Sequence, residues 1–446
     1  MSKSAFFLVK SALVGALGGL LFGFDTAVIA GTTMTLRQTF ALDEAALGFT
    51  VSSALWGTVL SALTAGIPGE KYGSREALRI TAILYVISAF GCALAHNWWL
   101  LIAFRFIGGL GIGASSVLGP VYISEIAPAQ YRGRMVGLFQ VNIVVGILLA
   151  YLSNYLIGLQ HFGADEWRWQ LGVSAIPALL FAVMLFTIPR SPRWLAARGL
   201  DAESLGVLEQ ATGSTSAAQA QLAEIKTSIG EEALDKQESL FNGKYKKPIM
   251  LALILGSFNQ FTGINAILYY LNDIFAKAGF DKVSSDLQAV AIGATNLIFT
   301  LIAMAVIDQF GRKPLLLIGS VGCAACLLGV AYIFGTHTNQ HLLIWLLVAY
   351  IGFFAASQGA CIWVYISEIF PTKVRARGQG LGCSAHWICN AIISGAFPIF
   401  AQMSSSLPFV FFGLMMILQL VLVWRLFPET KGISLEKLQE KLGITV

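Results

Sequence analysis

The chain has 446 residues, 56% of them hydrophobic and only 12% charged, with a mean hydropathy of +0.72. A soluble domain carries about 25% charged residues. The composition therefore excludes a soluble globular protein and points to an all-α polytopic membrane protein, because helices satisfy their own backbone in lipid. The net charge of +5 names no acidic partner and no nucleic acid, since the basic residues fall where membrane topology puts them.

A spanning helix needs about 20 mostly apolar residues. Twelve such stretches are predicted, centred near residues 19, 58, 86, 110, 146, 180, 261, 297, 324, 354, 390 and 416. The first has the basic flank of a signal peptide, Lys3 and Lys10, but it contains Asp25, runs past a signal core and shows no small-residue cleavage site. It is expected to be a retained helix. The fourth carries Arg105 and then GGLGIG at 108–113. No strand precedes these glycines, so they mark close helix packing and not a nucleotide loop. Residues 190–247 are polar, with leucines at helical spacing, and should form short amphipathic helices. In the ninth stretch, Cys323-x-x-Cys326 resembles half a zinc or redox motif. No second ligand pair accompanies them, and they are expected to be small packing residues. Nothing in the chain resembles a phosphate loop, a metal cluster or a nucleophile with its base, so an enzyme is not expected.

The two halves answer each other. YISEIAPAQYRGR, from Tyr122, returns 243 positions later as YISEIFPTKVRARG; Gly73 in GEKYGSR matches Gly311 in DQFGRK; PRSPRWL at Pro189 matches PETKGISLE at Pro428. Three motifs at nearly one offset indicate a duplicated six-helix unit. The predicted boundaries are a first bundle over 1–189, a linker over 190–247, a second bundle over 248–427 and a tail over 428–446. Loops assigned alternately leave only Arg37, Arg168, Lys277 and Lys282 outside, with Arg105 buried in a helix. The other basic residues are then inside, which makes both termini and the linker cytoplasmic. Each repeated motif pairs opposite charges. Glu125 and Glu368 end their helices, where the dipole disfavours a carboxylate. Arg132 and Arg375 follow them, and Arg75, Asp308 and Arg312 occupy the neighbouring cytoplasmic loops. These residues are expected to form a cytoplasmic latch in each half.

With these motifs in place, together with FGFDTAVIAG (22–31), RFIGGLGIGASS (105–116), SPRWL (191–195) and NQFTGINAILYY (259–270), the chain resembles the sugar porter family of the major facilitator superfamily over essentially its whole length. The resemblance implies a major facilitator fold, with two six-helix bundles and a cytoplasmic helical linker, a central sugar site and alternating access. It carries the sugar-contacting positions onto Gln140, Asn259, Gln260, Asn265, Tyr269, Asn296, Trp363, His386 and Trp387, with Phe22 at the first motif. These residue types suit a neutral polyol: amides donate and accept, and tryptophan offers an apolar face with a polar edge. Gln260, Asn265 and Tyr269 are also spaced to share one face of a continuous seventh helix. The family pattern is broken at KYGSR, where an arginine pair is usual. It is also broken at Arg190, where Glu is usual, at Asn259 for Gln, at Ala360 for Pro, and at His386 for an amide.

Asp25 and Arg105 are the mechanistic pair. A charge at mid-membrane costs about 2.5–3.5 kcal/mol even on a lenient scale, so two in neighbouring motifs are expected to meet. In the family an Asp at this position accompanies proton symport. The expected function is import of a hexose or pentose with a proton, by a functional monomer in the inner membrane, with protons as coupling ion and no cofactor. A facilitative uniporter is the alternative. A sugar sensor of transporter-like fold is less favoured, because such sensors signal through long cytoplasmic tails and few residues flank the outermost helices here.

Overall fold

A computed structural model of the chain describes residues 3–128, 131–234, 239–241, 243–433 and 435–444. Helices dominate, and no strand occurs among the described residues. Twelve helical segments there are long and apolar enough to cross a membrane, from Lys3–Gly31 to Leu407–Leu426. Each predicted stretch falls in one of them.

Local chemistry sets their ends. Asn97 accepts from the Leu100 amide at 2.8 Å and starts the fourth span, Trp98–Ile126, as an N-cap should. Ser191 accepts from the Trp194 amide and Pro192 takes the first helical position, so the linker begins with the favoured cap–proline pair. Three helices follow in the linker: Pro192–Ala197, Asp201–Thr212 and Thr215–Leu234.

Two spans are broken. The seventh runs as Lys246–Phe261, Ile264–Tyr269 and Leu271–Lys277. Its first break is at Gly263, where φ is +80° and a Cβ would collide with the Phe412 ring; glycine meets both demands. The tenth is interrupted by a π-helical turn, Ala355–Gly359, between Leu343–Phe354 and Ala360–Ile369. Such turns are rare and frequently sit at functional sites.

The contacts divide the chain into two compact units. One comprises Met1–Thr26, Gly57–Ile147 and Leu171–Gln237; the other comprises Ala27–Trp56, Leu148–Gln170 and Glu238–Val446. Within the first, the glycines of the fourth span bring helices together: Thr58 donates to Gly109 O at 3.2 Å and Tyr85 bonds Ser115 at 2.9 Å. Within the second, segments from both sequence halves pack together. Tyr151 donates to Leu268 O at 2.8 Å and Glu166 pairs with Lys282 across the halves, while Asn154 donates to Val28 O at 3.0 Å and Asn272 donates to Asp286 within them. Lys282 starts the helix that ends at Phe310, a rise of about 43 Å. The Glu166–Lys282 contact and the Arg312 motif therefore lie at opposite ends of the second unit.

Candidate functional site

In the second unit, a row of amides converges on a histidine. Gln260 Nε2 donates to Asn259 Oδ1 at 3.0 Å and lies 3.2 Å from each imidazole nitrogen of His386. Gln260 Oε1 accepts from Asn265 Nδ2 at 2.9 Å. Trp363 and Trp387 flank the imidazole, with ring centroids 5.2 and 5.1 Å away. Trp363 is 37% exposed and Trp387 only 2%. Trp363 thus keeps an open face, whereas Trp387 is packed edge-on against His386. Tyr269 is buried and its hydroxyl accepts from Asn390 Nδ2 at 3.3 Å. Asn296 is buried in the helix Lys282–Phe310. Gln140 and Phe22, both partly buried, belong to the first unit.

The seventh span is not the one helix that a shared face requires. Gln260 precedes the Gly263 break and Asn265 follows it, so they do not lie on one continuous helix. The break itself turns the Asn265 amide back onto Gln260. Asn390, Gln358 and Gln419 join this region without a motif to announce them. Asn390 lies one turn beyond His386, and the other two are glutamines inside apolar spans; intramembrane polarity is the signal available for all three.

Asp25 and Arg105 lie together in the first unit. Arg105 is 3% exposed and its guanidinium acts electrostatically on Asp25. Gly108, one turn after Arg105, lies beside the carboxylate: a Cβ there would be in ordinary contact with Asp25 Oδ2 at 3.5 Å but would collide with Ser88 Oγ at 2.5 Å.

The repeated motifs share their backbone. Gly73 and Gly311 have nearly the same dihedrals, φ/ψ of 88°/151° and 89°/162°. The Tyr122 hydroxyl donates to Pro189 O at 3.0 Å, and the Tyr365 hydroxyl to Pro428 O at 2.9 Å. Their charges are wired differently. In the second unit, Arg312 meets Glu368 at 2.9 Å and Thr430 donates to the same carboxylate at 2.6 Å. Glu429 accepts from the Arg312 and Lys313 amides at 3.1 and 3.0 Å. Partial burial alone would raise the Glu429 carboxyl, but the amides of Lys431, Arg312, Lys313 and Thr430 hold it below the usual range. Arg375 donates to Phe370 O at 3.3 Å, and the Asp308 side chain lies outside the described residues.

In the first unit the latch residues Arg75 and Glu125 each take other partners. Ser74 donates to Glu125 at 2.7 Å, while Arg75 turns to Glu76 and to Ile188 O. Arg79 and Arg190 also approach Glu76, at 2.8 and 3.6 Å. The reason is register: Ser74 follows Gly73 as Arg312 follows Gly311 and takes Glu125, Arg193 acts electrostatically on the same carboxylate, and Arg75 meets the adjacent Glu76. Arg132 is exposed at the start of its helix.

The sequence profile of the family described as "Sugar (and other) transporter" matches residues 11–442. The chain is 36% identical to the D-xylose-proton symporter of Escherichia coli (strain K12), over 97% of this chain and 95% of that one. It is also 36% identical to the arabinose-proton symporter of Bacillus subtilis (strain 168), over 99% and 96%. Among solved structures, the inward open conformation of the xylose transporter XylE from E. coli superposes with a TM-score of 0.87 at 34% identity, over 98% of this chain and 100% of that one. The same symporter bound to 6-bromo-6-deoxy-D-glucose gives 0.81 at 34% identity, over 98% of this chain and 100% of that one. With a family profile spanning nearly every residue and the fold shared from end to end, the chain belongs to the sugar transporter family, on the major facilitator fold.

Proposed function

We propose that this protein is a secondary active transporter that imports a monosaccharide, hexose or pentose, together with a proton by alternating access. The observation that carries the reading is Asp25 set against Arg105 within a helix-packed, apolar part of the first unit. An ionised Asp25 holds the guanidinium; a protonated one releases it. Proton binding thereby biases the packing of the first span on the fourth, which gives the ligand two states to choose between. Relatives named as xylose- and arabinose-proton symporters support the coupling ion.

The sugar contacts in this reading are Gln260, Asn265, His386 and the open face of Trp363, with Asn259 and Trp387 positioning them. Tyr269 and Asn296, in the same unit, are proposed as further contacts. Neutral imidazole resembles an amide in offering one donor and one acceptor, so His386 serves specificity and not proton transfer. The domains are two six-helix repeats joined by a cytoplasmic linker, with both termini cytoplasmic in the inner membrane and a monomer as the working unit. The Glu368 and Glu76 nodes act as the cytoplasmic latch of each repeat. The reading is tested by radiolabelled-sugar uptake into proteoliposomes: accumulation above equilibrium under an imposed inward proton gradient supports it, and mere equilibration under the same gradient would leave a uniporter.

A further inference from the structure

The amide row does not begin at Asn259. Asn259 Nδ2 donates to the main-chain carbonyl of Gln358 at 3.4 Å, and Gln358 lies in the π-helical turn of the tenth span. The Gln358 side chain is anchored on both sides. Its Nε2 donates to Ser320 Oγ at 3.3 Å, and its Oε1 accepts from Gln419 Nε2 at 2.8 Å. Ser320 in turn donates to Leu316 O at 2.7 Å. Gln358, Ser320 and Gln419 are completely buried. Buried amides cost free energy unless bonded, and Gln419 Oε1 has no hydrogen-bond partner. Apolar side chains would fill this three-helix contact without that cost.

The polarity of the row explains what the anchor does. A main-chain carbonyl can only accept, so it fixes which end of the Asn259 amide faces it. Asn259 must then present Oδ1 to Gln260, Gln260 must present Nε2 to Asn259 and His386, and its Oε1 is left for Asn265. One carbonyl sets the direction of every amide along the row. That carbonyl is held by the turn, and the turn is clamped at two points. Ser357 donates to Phe353 O at 2.6 Å, while the preceding span, Arg312–Thr336, approaches so closely that a Cβ on Gly319 would collide with Ser357 Oγ. The Gln358 side chain makes the second clamp.

We propose that Gln358 is a positioning residue of the sugar site: anchored on Ser320 and Gln419, it fixes the π turn so that its carbonyl orients Asn259 and, through it, Gln260 and His386. The inference rests on the reading that Gln260 contacts sugar. The test uses purified full-length protein and compares Gln358→Met, Gln419→Met, the double variant and Gln260→Ala. Dissociation constants for D-xylose and D-glucose are measured by calorimetry, and thermal midpoints are measured alongside. Gln358→Met orphans the Gln419 amide, so it should lower the midpoint and weaken binding of the sugar that wild type binds by at least about fivefold. Removing both partners of a buried hydrogen bond can be nearly neutral for stability. The double variant should therefore regain most of the midpoint while its affinity stays low. Recovery of both quantities in the double variant would make Gln358 a packing residue and overturn the proposal. So would an unchanged affinity in Gln358→Met when Gln260→Ala binds weakly. If Gln260→Ala itself binds normally, the sugar-site reading fails first and takes this inference with it.

Discussion

Arg190 lies 3.6 Å from Glu76, and this contact inverts the charges of the matching place in the other repeat. Pro189-Arg190 answers Pro428-Glu429, and Glu429 accepts from the Arg312 and Lys313 amides. Where the second repeat puts a carboxylate, the first puts a guanidinium, and Glu76 supplies the missing anion. Arg75 of the KYGSR loop and Arg190 therefore share one carboxylate, Glu76. Glu76→Gln strands Arg75, Arg79 and Arg190 together, and should slow sugar uptake by roughly tenfold, the rate equivalent of a lost charged hydrogen bond. Arg190→Gln should matter much less once Glu76 is gone. A double-mutant cycle on uptake rates measures this; strictly additive effects would show that the two residues do not act together.

Glu429 gives the second repeat a pH signature. Its carboxyl is held below the ordinary value of 4.5, so its contribution to stability is present above that value and is lost as pH falls through its own, lower range. Glu429→Gln should lower the thermal midpoint at pH 7, and the gap to wild type should shrink as the pH is taken well below 4.5. A gap that stays constant with pH would mean the four amides do not favour the ionised form.

Gln260→Ala and Trp363→Ala should each weaken sugar binding by about 1 kcal/mol or more, the value of a lost buried hydrogen bond or aromatic contact. Calorimetry on purified protein measures both. Unchanged dissociation constants in the two variants would move the sugar site away from this cluster.

His386→Asn should keep gradient-driven accumulation and change the preference among sugars. The asparagine still donates and accepts, but it is shorter than the imidazole and surrenders contact with Trp363 and Trp387. A sugar panel run with and without an imposed proton gradient separates the two roles, and loss of accumulation with exchange intact would assign the proton to His386.

The spans and the duplication were legible because lipid imposes length and apolarity on each helix, and the motif spacing survives in the letters. Gly73 and Gly311 show how far this reaches: matched in sequence, they share φ almost to the degree and differ little in ψ. What the letters hid was pairing. Arg75 reads as a member of the first latch, yet in the register of Gly73 and Gly311 it is Ser74 that stands where Arg312 does, and Ser74 bonds Glu125 as Arg312 bonds Glu368. The Gly263 break was equally hidden. Periodicity places Gln260 and Asn265 on one helix face, while a single left-handed residue brings them together by another route. The Gln358–Gln419 bond joins residues 61 positions apart, a separation that no local pattern encodes.

The central claim is that Asp25 couples proton to sugar, and Asp25→Asn tests it most directly. The amide is nearly isosteric and cannot cycle a proton, so coupling is removed with little change in volume. Arg105 loses its anionic partner in an apolar helix, which should slow exchange more than it weakens binding. Proton-driven uptake and equal-sugar counterflow are measured in the same vesicle preparation. The account predicts that the Asp25→Asn variant binds sugar and exchanges it but no longer accumulates it; a variant that still concentrates sugar above equilibrium under an inward proton gradient would contradict it.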